Sequence, residues 1–136
     1  MLTKVVAVLA GIVAAFAAIA IIQSIGHAVI PPPADLDVSD IEAFREWMAT
    51  LPVAAFLFVL AAYYGGAFLG SFVAGWIAGL RSLIYPAIVG GLVLAGTIAN
   101  LMTIPHPLWF SLLALIGIPV CAYFGGRLSP VRTAAP

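Results

Sequence analysis

The sequence predicts an all-α integral membrane protein, a bundle of four transmembrane helices with both chain termini on the cytoplasmic side. Of its 136 residues, 65% are hydrophobic and only 7% are charged, and the mean hydropathy is +1.23. Soluble domains carry about a quarter charged residues, so most of this surface must face lipid. The apolar residues also form four runs that reach the length of about 20 residues that a membrane-spanning helix needs.

The length of the chain indicates a single membrane domain over residues 1–136. We predict spans over residues 5–30, 53–80, 83–104 and 108–128, with an outer loop over 31–52 and a cytoplasmic tail over 129–136. Three consecutive prolines at 31–33 end the first span, and Pro105 and Pro107 delimit a tight turn before the fourth. Pro119 lies inside the fourth span, where it predicts a kink.

The basic residues predict the orientation of the spans. Lys4, Arg81, Arg127 and Arg132 all fall on one side of the predicted membrane. The other side carries Arg45 and all five acidic residues, within the loop 31–52. Because basic residues concentrate on the cytoplasmic side of membrane proteins, we expect cytoplasmic termini and an acidic loop on the outer, periplasmic side.

The outer loop contains a predicted short amphipathic helix. Ser39 and Glu42 have the spacing of a capping box. The apolar residues that follow share one helical face: Ile41, Phe44, Trp47 and Met48. We expect this helix to lie at the outer membrane interface, anchored by Trp47, with Trp109 as a second interfacial anchor. It would serve as a lid over the bundle or as a docking site for a partner.

Small residues in the second span predict close helix packing. They recur at the small-x-x-x-small spacing that lets two helix backbones approach each other. The expected packing residues are Gly66, Gly70, Ser71, Ala74, Gly75 and Gly79, together with Gly96 of the third span. The partner of this face is either another helix of the same chain or a second copy of the protein.

Polar side chains are costly inside a bilayer, so each one is a candidate for a site. Gln23 and His27 share a face near the outer end of the first span, and Asn100 and Thr103 share one near the outer end of the third. His106 follows in the outer turn. The topology therefore predicts that these five residues lie at a similar depth beneath the acidic loop.

Three interpretations of this polar layer are open. In the first, the amides hydrogen-bond across helices and have only a structural role. In the second, the layer binds an ion, a lipid headgroup or a quinone-like ligand. The third is a metal site built from His27, His106 and a loop carboxylate, Asp35 or Asp37. Because the chain has no H-x-x-x-H motif and no cysteine pair, we predict no metal centre and no cofactor.

The sequence also narrows the classes of function. A net charge of zero provides no basic field for a nucleic acid. No nucleophile, phosphate-loop or dinucleotide motif occurs, and the span interiors lack the charged residues of a proton relay. We therefore predict a non-enzymatic structural or accessory protein of the membrane. Its expected partners are membrane lipids, with a second copy of the chain or a larger membrane complex as a further option. The alternative is a small channel, transporter or ligand-binding protein with its site near His27 and His106.

The second half of the chain carries N-L-M-T-I-P-H-P-L-W-F over residues 100–110 and Y-F-G-G-R over 123–127. In these segments it resembles small uncharacterised bacterial inner-membrane proteins with four helices. The resemblance implies a location in a bacterial inner membrane, and it implies no activity.

Overall fold

The computed structural model describes residues 1–79 and 82–130 of the chain. The described residues form five helices: α1 (Leu2–Val29), α2 (Ile41–Thr50), α3 (Val53–Ala78), α4 (Ile84–Thr103) and α5 (Leu108–Leu128). All but α2, which has 10 residues, are long and apolar enough to cross a membrane. The predicted all-helical class with four apolar spans is confirmed, while Arg81 and Arg132 lie outside the described residues.

The bundle has two different ends. The loop end carries α2 and the turn 104–107, and the terminus end carries the start of α1 and the end of α5. At the terminus end, α3 stops at Ala78 because Gly79 takes up a left-handed conformation with φ 65°, which residues other than glycine adopt only with strain. Gly79, predicted as a packing residue, therefore ends the helix instead.

Helix α3 is the central helix of the bundle. It packs on α1, α4 and α5, whereas α1 and α5 do not contact each other within the described chain. A Cβ atom built on Gly70 would lie 2.7 Å from the backbone oxygen of Gly11 and 2.7 Å from the Cβ of Ala15. A Cβ atom on Gly66 would lie 3.0 Å from the backbone oxygen of Ala15. Gly66 and Gly70 of the predicted small-residue face thus pack against α1 of the same chain, whereas a Cβ atom on Gly75 would meet Ser129 and Pro86.

Helix α1 has a matching small-residue face that the sequence analysis missed. Its buried residues include Ala7, Gly11, Ala15 and Ala18, three of them at four-residue spacing. This spacing makes α1 a candidate partner of α3, because two such faces can approach at backbone distance.

Helices α4 and α5 complete the bundle. The buried Ser71 hydroxyl of α3 donates a hydrogen bond to the backbone oxygen of Pro86 in α4 at 3.0 Å. Thr97 of α4 is buried, but its neighbour Gly96 is exposed, and a Cβ atom there would meet no atom within 4 Å. The expected packing role of Gly96 is therefore wrong for the described chain, because successive helical residues point about 100° apart and Gly96 faces outward.

Helix α2 is present as predicted, but its capping residue differs. The side chain of Asp40, not Ser39, accepts hydrogen bonds from the backbone N–H groups of Glu42 at 3.0 Å and Ala43 at 3.3 Å. Ser39 instead donates its own N–H and hydroxyl to Asp37. A carboxylate at the N-cap also interacts favourably with the helix dipole, which the hydroxyl of Ser39 would not do.

Candidate functional site

A cavity of about 340 Å³ lies at the loop end, bounded by α1, α2, α3, α4 and the turn 104–107. Four of the five predicted polar residues line it: Gln23 and His27 from α1, Asn100 from α4, and His106 from the turn. Its volume falls within the range of about 300–1,000 Å³ that ligand pockets usually have. The structure thus brings residues from three separate segments to one place.

Thr103, the fifth predicted residue, does not join this cavity. Its hydroxyl donates a hydrogen bond to the backbone oxygen of Ala99 at 2.9 Å, one turn earlier in α4. Such back-bonding satisfies a threonine hydroxyl without a partner from another helix. The backbone oxygen of Thr103 accepts a hydrogen bond of 3.4 Å from the Arg45 guanidinium, which links α4 to α2.

Tyr63 is a site residue that the sequence analysis did not include. The Asn100 amide nitrogen donates a hydrogen bond of 2.8 Å to the Tyr63 hydroxyl oxygen, joining α4 to α3, and both residues line the cavity. Tyr63 is only 8% exposed, and its ring lies 6.4 Å from that of Phe110. An amide inside a membrane needs a hydrogen-bond partner, and this requirement of Asn100 is the signal that could have pointed to Tyr63.

His106 is held in a defined orientation. Its Nδ1 lies 2.7 Å from the backbone oxygen of Ile104, and its ring stacks on Phe110 at 4.8 Å. Because a carbonyl oxygen can only accept, Nδ1 carries the proton and Nε2 of the neutral ring is an acceptor. Burial lowers the pKa of His106 below its usual range, and the hydrogen bond to Ile104 acts in the opposite direction.

Helix α2 covers the cavity with its apolar face. Phe44, Trp47 and Met48 all line the cavity, and the rings of Phe44 and Trp47 lie 5.5 Å apart. A second cavity of about 300 Å³ shares Met48 and His106 with the first and is also lined by Arg45 and Trp109. The backbone of α2 makes no close contact with another helix in the described chain, so side chains such as Met48 hold it in place.

The metal interpretation finds no support in the geometry. Among residues 1–79 and 82–130, no three histidine, cysteine, aspartate or glutamate side chains are placed to hold a metal ion. His27 and His106 line the cavity, but neither Asp35 nor Asp37 does. Asp37 is engaged by Ser39, whose side-chain and backbone hydrogen bonds lower the pKa of its carboxyl group.

No known family matches this chain. The comparison with protein-family models found no match, and no curated protein and no solved structure is significantly similar to it.

Proposed function

We propose that this chain is a non-enzymatic multi-pass membrane protein that binds a small amphiphilic molecule at its loop end. The observation that carries the proposal is the convergence of Gln23, His27, Asn100 and His106 on one cavity beneath α2. Polar residues kept at a cost inside a bilayer favour a functional site where they converge. The described residues that line the cavity include no carboxylate, thiol or serine hydroxyl, which favours binding over catalysis.

We further propose that the chain resides in a bacterial inner membrane, with cytoplasmic termini and α2 at the outer interface. Lys4 and Arg127 lie at the terminus end, while all five acidic residues lie at the loop end. The excess of basic residues on cytoplasmic sides supports this orientation. The exposed charged face of α2, with Glu42 and Glu46, supports a helix that lies along the membrane surface.

The packing argues against conduction through the bundle. Between the cavity and the terminus end, α1, α3 and α4 meet through Ala15, Ala74 and Val89, each at most 1% exposed. A channel needs a continuous wet path, and this apolar contact interrupts one. Ligand binding therefore fits the described chain better than the channel or transporter alternative.

A second candidate is an accessory subunit that binds another membrane helix. A groove of about 240 Å³ runs along α4 and α5 and includes the exposed Gly91, where a Cβ atom would meet nothing within 4 Å. An outward-facing glycine favours close approach of a second helix, from another copy of this chain or from a larger complex.

Native mass spectrometry of the protein extracted in a mild detergent tests both candidates. Ligand binding predicts a stoichiometric bound small molecule that is lost in Asn100→Leu. It should persist in the control Thr103→Val, which alters the same helix outside the cavity. A bare monomer, or equal bound mass in both variants, would contradict ligand binding. A dimer mass or a co-purified protein would favour the accessory role.

A further inference from the structure

The described residues that line the cavity are mainly apolar, and five of them have aromatic Phe, Trp or Tyr side chains. Of the described residues that line it, none carries a carboxylate, ammonium or guanidinium group. Apart from the imidazoles of His27 and His106, no described group there could pair with a charged ligand, which would lose its hydration on entering. The aromatic residues that line the cavity are Phe44, Trp47, Phe56, Phe58 and Tyr63. These walls favour a neutral ligand with a flat ring, because aromatic rings attract one another in stacked and edge-on arrangements.

The polar groups define which hydrogen bonds such a ligand makes. The Tyr63 oxygen already accepts a hydrogen bond from Asn100, so the Tyr63 hydroxyl proton is the group free to donate into the cavity. The Gln23 amide and the His27 imidazole, both from α1, also line the cavity. The complementary ligand atom at Tyr63 is an oxygen acceptor such as a ring carbonyl.

The position of the cavity indicates that its ligand arrives from the lipid. Nearer the terminus end, Ile12 of α1 and Tyr85 of α4 both pack against the buried cluster of Ala15, Ala74 and Val89. At the loop end, the cavity lies between Gln23 of α1 and Asn100 of α4. Both helices expose apolar side chains, such as Ile25 of α1 and Met102 of α4, so a ligand that entered between them would keep a long apolar tail in the lipid.

Building on the proposed ligand-binding function, we propose that the occupant is a membrane quinone. Its uncharged ring lies between the aromatic side chains of α2 and α3, and one ring carbonyl accepts the hydroxyl proton of Tyr63. The ring enters between α1 and α4, and its isoprenoid tail stays in the lipid. The proposal concerns binding, and it includes no transfer of electrons.

Quenching of tryptophan fluorescence by ubiquinone-2, a short-chain benzoquinone, tests this proposal in phosphatidylcholine nanodiscs. Trp47 lines the cavity, so we expect a saturable quench in addition to the linear quench from quinone dissolved in the lipid. Trp47→Phe should abolish the saturable part. Tyr63→Phe should raise the half-saturating concentration about three- to tenfold, the effect of one lost hydrogen bond.

Tyr64→Phe is the matched control. The Tyr64 hydroxyl donates to the backbone oxygen of Leu113 at 2.7 Å, between α3 and α5, and Tyr64 does not line the cavity among the described residues. Its half-saturation should equal that of the wild type. A purely linear quench, or equal shifts in Tyr63→Phe and Tyr64→Phe, would overturn the quinone proposal. If native mass spectrometry then detects a bound phospholipid, ligand binding stands and only the quinone is wrong.

Discussion

At the scale of residues, the side chains that form hydrogen bonds within the spans do so in two ways. The hydroxyls of Ser24, Thr97 and Thr103 each donate to a backbone oxygen one turn earlier in their own helix. Asn100 and Ser71 instead bond to residues of other helices. The first kind needs no tertiary partner. Only the second kind joins two helices, and both of these bonds connect α3 to α4.

His106 predicts a pH dependence of stability. Because burial lowers its pKa in the folded protein, the unfolded chain binds more protons just below pH 6.5, the ordinary histidine value. The free energy of unfolding should therefore keep the full contribution of neutral His106 above pH 6.5. It should decrease as the pH falls below that value. Thermal unfolding in detergent between pH 8 and pH 5 measures this effect. His106→Gln should flatten the profile, whereas an unchanged slope in that variant would refute the assignment; His27→Gln serves as the control.

At the scale of elements, the helices meet through small residues, and their faces differ in what they contact. Gly70 of α3 faces Gly11 and Ala15 of α1 at backbone distance. Gly96 of α4 has the same residue type but faces open space. Two glycines that look equivalent in the sequence therefore have opposite structural consequences, because the orientation of each helix decides which face is covered.

Alanine substitutions at these two glycines should have opposite effects. In Gly70→Ala the added methyl group collides with α1, and overpacking of this kind costs about 1–3 kcal/mol. In Gly96→Ala the methyl group meets nothing, and replacing a helical glycine gains about 0.5–1 kcal/mol. Reversible unfolding in mixed detergent micelles compares the two variants with the wild type. Equal free energies of unfolding would contradict the packing of α3 on α1.

At the scale of the whole molecule, the two ends of the bundle differ in chemistry. The terminus end is closed by apolar contacts around Val89, and it carries Lys4 and Arg127. The loop end carries the acidic residues, the cavity and α2, whose attachment includes a long hydrogen bond of 3.4 Å from Arg45. Binding at the loop end would therefore involve α2, which has no fully buried residue and no close backbone contact with another described helix.

The proposed orientation predicts which residues are reachable from outside the cell. In a Cys121→Ala background, a cysteine at Ser39 in the loop should react with a membrane-impermeant maleimide on intact spheroplasts. A cysteine at Thr3 should react only after the membrane is permeabilised, because it lies at the opposite end of the bundle. The reverse labelling pattern would show that the termini face outward.

The sequence by itself determined the membrane class, the four apolar helices and their approximate ends. These features depend on local causes: composition, the length of apolar runs, and residues such as Pro107 that begin helices. It also predicted that five polar residues lie at a similar depth, and four of them line the cavity. The tertiary structure decided which helix faces meet, that Tyr63 pairs with Asn100, and that a cavity lies beneath α2. Lateral helix order depends on contacts between distant segments, which periodicity along the chain does not encode.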